Sequence, residues 1–265
     1  MSKKINIHGH RGSRGTLPEN VIPSFAEARD VGCGFIEFDI HLSKDGIPVV
    51  FHDIDITAKL CKDAHGQVVK TPIALYELTL QEIKSYDVGS ILLAAFPEQK
   101  ALPGPTRIPT LEEVMQWKIA TAPSMNLNIE IKREEIVTAK TSSPEALASA
   151  VMKLLEKYDL VESSLVQSFD FSVVRAVRKL NSKVRLSCLF EKEADFARIA
   201  VENGAQVAAL HFPLITEENV RACHQAGLEV LPWTVNDEKV WDSLVEMGIK
   251  SIITDYPRKF SKSNY

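Results

Sequence analysis

The chain lacks paired cysteines, a long apolar run and an excess of positive charge, and each absence removes a class of protein. Four cysteines, Cys33, Cys61, Cys188 and Cys223, are scattered over 265 residues with no CxxC pair and no Cys/His set at ligand spacing. That excludes a disulfide scaffold, argues against a structural zinc and points to free thiols in a reducing compartment. No stretch has the apolar length of a bilayer span, so stable membrane insertion is not expected. The N-terminus passes from Met-Ser-Lys-Lys straight into Ile5 to Ile7, without the apolar segment of a signal peptide, and the expected location is cytoplasmic. A formal net charge of −4 speaks against general nucleic-acid binding but permits a local positive pocket for a small anion.

What is present is a soluble globular composition, 45% hydrophobic and 25% charged, in a length that fits one large α/β domain or two small ones. Ile5 to His8 reads as a short strand ending at Gly9-His10-Arg11-Gly12, where glycines on both sides of His10-Arg11 allow a tight turn. A helical pattern follows through Val21, Phe25 and Ala28. Glu19 and Asn20 just before it could orient Arg11 or cap the helix, capping being the more ordinary role. Phe35 to Leu42 then alternates as a strand, with Glu37 and Asp39 on one face and roughly 6.6 Å apart along it. The Lys44-Asp45-Gly46 turn returns the chain through Pro48 to Asp53. A hairpin centred there sets Asp39 opposite Phe51 or His52. The connection is too short for a parallel crossover, so this return is an antiparallel arm.

Residues 54–108 interrupt the rhythm with polar turns, a short helix over Thr79 to Tyr86 and the apolar residues Leu92, Leu93 and Phe96, and they read as an insertion over the mouth of the fold. Thr110 is a plausible cap for the helix that follows. Strands then fit Leu127 to Lys132, Ser164 to Phe169, Val184 to Phe190, Val207 to Phe212, Glu229 to Thr234 and Lys250 to Thr254. Helices fit near 144–158, 170–180, 191–203, 216–226 and 237–247. With the first two strands the count reaches eight, the number that closes a (β/α)8 TIM barrel. The expected organisation is one catalytic barrel domain over 1–257, with 54–108 inserted after the second strand and its arm, and 258–265 a loose polar tail.

Such barrels carry their chemistry at the C-terminal ends of the strands, where this chain sets His10, Arg11, Glu37, Asp39, His52, Glu130 and Lys132. Three carboxylates so close repel unless a cation lies between them. A hard divalent ion suits oxygen ligands, and Mg²⁺ and Ca²⁺ fit equally. His10 and His52 are candidates for general acid and base, with His52 read as base and His10 as acid. Arg11 and Lys132 make a phosphate pocket. Trp233 is either an apolar wall for an alcohol group or plain core. Of the other histidines, His65 and His224 read as surface, His8 as packing beneath the pocket, His41 as in phase with Asp39 but beyond it, and His211 as lying near a strand end.

His10-Arg11-Gly12, Pro18-Glu19-Asn20, Glu37-x-Asp39, Lys44-Asp45-Gly46, Val49-x-x-His52-Asp53, Glu130-x-Lys132, Trp233-Thr234-Val235-Asn236 and Thr254-Asp255-x-Pro257 together resemble the pattern of glycerophosphodiester phosphodiesterases of the bacterial cytoplasmic type. The resemblance covers essentially the whole chain. It implies a (β/α)8 barrel that hydrolyses a small-molecule glycerophosphodiester to sn-glycerol 3-phosphate and an alcohol. It further implies one divalent cation, Mg²⁺ or Ca²⁺, on Glu37, Asp39 and Glu130, acid/base work by His10 and His52, and phosphate contact by Arg11 and Lys132. The nucleophile would be water or the substrate's own 2-hydroxyl. Val21 departs from the family's usual threonine, a change expected to alter helix capping. The insertion keeps little of the family wording, which leaves the alcohol group open. The alternatives are lysophospholipase D-like hydrolysis of lysophospholipids, a phosphoinositide-cleaving barrel and a catalytically silent binder of glycerophosphodiesters.

Overall fold

The computed structural model describes residues 5–133 and 141–261. The first half of the chain gives β1 (Asn6–Gly9), α1 (Ile22–Asp30), β2 (Phe35–Leu42), β3 (Pro48–Val50), β4 (Asp55–Ile56), β5 (Ile73–Ala74), α2 (Leu80–Ile83), α3 (Leu111–Thr121) and β6 (Asn126–Ile131). The second half gives α4 (Pro144–Lys157), β7 (Ser164–Ser168), α5 (Phe171–Leu180), β8 (Arg185–Phe190), α6 (Phe196–Glu202), β9 (Val207–His211), α7 (Glu217–Gln225), β10 (Glu229–Trp233), α8 (Trp241–Glu246), β11 (Ser251–Thr254) and α9 (Pro257–Ser261).

Alternate residues of the same strands sort into two cores, as parallel strands with helices outside and side chains within require. Val166, Leu186, Cys188, Ala208, Leu210 and Val230 join the large core beneath the helices. Their neighbours Leu165, Leu189, Val207, Ala209, Leu231 and Ile253 fill the interior. Eight parallel strands run in the order β10-β9-β8-β7-β6-β2-β1-β11. The ring comes together where Val235, just past β10, donates its N–H to Ile253 of β11 at 2.8 Å. The result is a nearly closed TIM barrel.

β3 pairs antiparallel with β2 through Ile40↔Val50, His41↔Val49 and Leu42↔Pro48, so Asp39 lies opposite Phe51. Phe51 N–H donates to the Asp39 carbonyl at 3.1 Å. The return is therefore an arm on the barrel, as its short turn dictates. The insertion builds a core of its own, in which Ile56, Leu60, Leu75, Ile83 and Ile108 pack with Val49 and Phe51 of the arm. It is tied down by Lys100 N–H to the Thr16 carbonyl and by the Gln99 amide to the Arg14 and Leu17 carbonyls.

Helix starts follow their caps. Thr110 is the expected cap and forms a capping box with Glu113, and Ser143, Asp170 and Thr216 each accept a first-turn N–H. α1 begins after Val21, which makes no side-chain cap. Three helices are shorter than their periodicity predicts. Asp195 accepts from Arg198 N–H and starts α6 there, so 191–195 stay outside it. The segment from 237 opens as a 3-10 turn, Glu238–Val240, before α8. Thr79 to Tyr86 contributes the single turn of α2.

The tail expectation is corrected for its described part. Pro257–Ser261 is helical, and Phe260, 2% exposed, stacks on Trp241 at 5.5 Å. An aromatic ring in an otherwise polar run found a core to enter. Residues 262–265 lie outside the described residues.

Candidate active site

Closure of the barrel brings the two ends of the chain together around His10. His10 N–H donates to the Thr254 carbonyl at 2.9 Å, and His10 Nδ1 donates to Asp255 Oδ1 at 2.6 Å. A carboxylate can only accept, so Nδ1 carries the hydrogen and Nε2 is turned toward Glu37, 3.9 Å from its Oε2. Asn236 fixes the aspartate in turn: its amide donates to Asp255 Oδ2 at 2.7 Å and its carbonyl oxygen accepts from Asp255 N–H at 2.9 Å. Burial lowers the His10 pKa, with Arg11 and Arg14 adding to it against the pull of Asp255. Asp255 itself is held down to about 2: burial opposes ionisation, but His10, Asn236 and Arg14 outweigh it.

The turn after His10 is tight. A Cβ on Gly9 would meet the Gly12 carbonyl oxygen at 2.4 Å, and Arg11 takes a left-handed φ of 49°. That turn aims Arg11 inward. Its Nη1 donates to Glu19 Oε1 at 2.8 Å, its Nε lies 3.3 Å from Asp39 Oδ2, and its backbone N–H donates to Glu37 Oε2 at 3.0 Å.

Glu37, Asp39 and Glu130 gather on the adjacent strands β2 and β6, where Asp39 and Glu130 are register partners. Their carboxylate oxygens approach within 4.8 Å of one another, all three buried. Lys132 Nζ reaches Glu130 Oε1 at 2.7 Å and stands 3.8 Å from Asp39 Oδ1. The cluster splits its carboxyls: burial, with Asp39 and Glu130 beside it, pushes Glu37 well above the usual range. For Asp39 burial acts the same way, but Arg11, His52, Lys132 and the Asn20 amide win and hold it well below. Asp39 Oδ1 is nonetheless buried without a hydrogen-bond partner among the described residues. Lys132 is raised: burial opposes its charge, and Glu130 and Asp39 more than offset that.

His52 stands on the arm, half-buried. Its Nδ1 donates to Asp53 Oδ1 at 2.6 Å, leaving Nε2 free in the same sense as His10. Asp53 is held at about 2 by His52 and Lys59 against burial. Trp233 donates from Nε1 to the Ala209 carbonyl at 3.1 Å and meets Phe169 edge-on at 5.5 Å and His211 at 5.0 Å. It is partly buried and packs on the interior core.

Residues 10–259 match the Glycerophosphoryl diester phosphodiesterase family. The chain belongs to that family. A glycerophosphodiester phosphodiesterase of Bacillus subtilis is 32% identical over 98% of this chain and 86% of its own length. One from Caldanaerobacter subterraneus subsp. tengcongensis is 28% identical over 96% and 95%. Among solved structures, one from Silicibacter pomeroyi superposes with a TM-score of 0.91 at 26% identity, covering 98% of this chain and 93% of that one. An Oleispira antarctica phosphodiesterase in complex with the product sn-glycerol-3-phosphate gives 0.79 at 25%, covering 96% and 94%. These phosphodiesterases are hydrolases, and this family member is an enzyme of that class.

Family motifs that looked like local grammar turn out to face the site. Glu19 and Asn20 do not cap α1: Glu19 bridges Arg11 and Arg14, and the Asn20 amide donates to Asp39 Oδ2 at 2.9 Å. Positive φ values at Arg11 and Asn20 turn both residues inward, which overrules the capping role. Asp53 and Asp255 received no role from sequence, although each occupies a position beside a strand end that already held a histidine or faced one. Arg14 was missed as well. It lies 3.8 Å from Asp255 and stacks its guanidinium over Phe96 of the insertion at 4.6 Å. His8 stacks on Phe35 below the site, and burial drops its pKa to about 3. His41 donates to the His52 carbonyl, and burial drops its pKa to about 4. His65 and His224 are exposed.

Proposed function

We propose that the enzyme hydrolyses small glycerophosphodiesters to sn-glycerol 3-phosphate and an alcohol, using one divalent cation, Mg²⁺ or Ca²⁺, and the His10 and His52 pair. The observation that carries this is the flanking of one three-carboxylate cluster by two imidazoles, each held through Nδ1 to a carboxylate at 2.6 Å. The cluster fits a hard cation. Oxygens bound to one such ion at roughly 2.0–2.6 Å lie within about 5 Å of each other, as these do, and Asp39 Oδ1, with Lys132 Nζ no nearer than 3.8 Å, keeps its acceptor capacity for an ion. Glu37, Asp39 and Glu130 would hold the ion, which supplies charge neutralisation for the phosphoryl oxygens when bound. Arg11 and Lys132, both locked by carboxylates, supply fixed positive charge at the same rim. The histidines divide the proton work: one Nε2 takes the proton of the nucleophile, and the other returns one to the leaving alkoxide. Asp255 and Asp53 hold each ring in the tautomer that allows this.

A small diester is favoured over a lysophospholipid because the apolar residues of the insertion are already used. Phe96 is buried against Arg14 and Tyr256, and Leu93 packs on the insertion's own core, leaving Leu92 exposed. The sn-glycerol-3-phosphate bound by the Oleispira antarctica phosphodiesterase supports the same product here. The test is glycerol 3-phosphate release from glycerophosphocholine, beside lysophosphatidic acid release from lysophosphatidylcholine, each with chelator and with Mg²⁺ or Ca²⁺ restored. Cation-dependent turnover of the small diester is expected; turnover of the lipid alone would move the assignment to a lysophospholipase D.

A further inference from the structure

His41 is a buried imidazole, 6% exposed, that the reaction described above does not use. It stands on β2 two residues beyond Asp39, on the strand face that carries Glu37 and Asp39. The pairing of β2 with β3 ends there: Phe51 N–H to the Asp39 carbonyl is the last backbone bond of the arm, and the next residue is His52. At that point a side chain takes over from the ladder. His41 Nε2 lies 3.0 Å from the His52 carbonyl oxygen, and because a carbonyl only accepts, Nε2 must donate. The His52 ring is fixed at its far end by Asp53, but that aspartate is its own chain neighbour and moves with it. Val50 N–H ties the arm on its other edge to the Pro109 carbonyl at 2.8 Å, and the bonds nearest the His52 ring come from β2: the Asp39 carbonyl one residue earlier and the His41 ring at His52 itself.

We infer that His41 is a positioning residue for His52, holding its backbone so that the imidazole meets the carboxylate cluster at a fixed distance. The inference rests on the acid/base reading of His52. Both ends of the clamp come from β2, the strand that also carries Glu37 and Asp39. The clamp therefore ties proton transfer and the cluster to one rigid element, and displacements of an ångström are enough to slow such steps.

The experiment compares His41→Leu, His41→Gln and His52→Gln in the full chain, by kcat and KM on glycerophosphocholine at saturating cation, by thermal melting and by NMR of the histidine ring N–H groups. Losing such a partner lowers kcat about 10- to 100-fold, with KM within about threefold of wild type. His41→Gln, whose terminal amide donates from a similar reach, recovers kcat to within about fivefold. The His52 Nδ1–H signal shifts in His41→Leu and returns in His41→Gln. Wild-type kcat in His41→Leu while His52→Gln is inactive overturns the inference alone. So does a His41→Gln that melts like wild type yet is as slow as His41→Leu. An active His52→Gln would instead overturn the acid/base reading. If His41→Leu does not fold, His41→Asn carries the test: its amide falls one bond short, so it must show the loss, and wild-type kcat there overturns the clamp.

Discussion

The two histidines sit in unlike surroundings. His10 belongs to the seam where β1 meets β11: its side chain is 12% exposed against 29% for His52, and its aspartate comes from 245 residues away and is held in turn by Asn236. His52 belongs to the arm: it is half-buried, its aspartate is the next residue, and the His41 ring links its backbone to β2. The same pair of atoms, Nδ1 to a carboxylate oxygen at 2.6 Å, is thus built once by closure of the whole fold and once by a hairpin. Damage to the fold as a whole should therefore reach His10 first, and damage to the arm or insertion should reach His52.

The largest effect expected is from His10→Ala or His52→Ala, each lowering kcat about 10²- to 10⁴-fold in steady-state assays, as loss of general acid or base catalysis does. Equal losses would show that the two sites are chemically equivalent despite their settings. The aspartates separate them: Asp255→Asn should lower kcat about 100-fold and Asp53→Asn about 10-fold, because Asp53 is the more exposed of the two. A reversed order would show that exposure of the aspartate does not set its hold on the ring.

Phe260→Ala, which empties the buried contact with Trp241 beside the seam, should cost about 3 kcal/mol in denaturant unfolding and leave KM unchanged. Asp255 has a folded pKa of about 2 against an ordinary 3.8. Its contribution of roughly 2 kcal/mol is therefore full above the ordinary value and lost as pH falls toward the folded one. Unfolding followed between those limits should show that slope in wild type and a flatter one in Asp255→Asn. The smallest effect should come from Phe96→Ala, which frees Arg14 from the insertion and should change kcat/KM by less than about 10-fold, through ordering of the mouth.

The barrel was legible because its strands keep one period while both faces are buried, so apolar and functional positions alternate in the sequence itself. The acidic cluster was legible for the same reason, and hairpin arithmetic brought His52 to it by setting Asp39 opposite Phe51 or His52, of which the strand register selects Phe51. The support of the site was not. Asp255 can be assigned to His10 only once the ring of strands closes, and Arg14 meets Phe96 only across the insertion, whose pattern has no period to read. Glu19 and Asn20 stood at a capping position, and only the left-handed turns at Arg11 and Asn20 redirect them.

Calorimetric titration of chelator-stripped protein with Mg²⁺ and with Ca²⁺, followed on the same samples by turnover of glycerophosphocholine, decides whether Glu37, Asp39 and Glu130 hold a working cation. One cation per chain is expected, with turnover that rises with occupancy and loss of both in Asp39→Asn. Full turnover by the stripped protein, or cation binding unchanged in Asp39→Asn, would contradict that assignment.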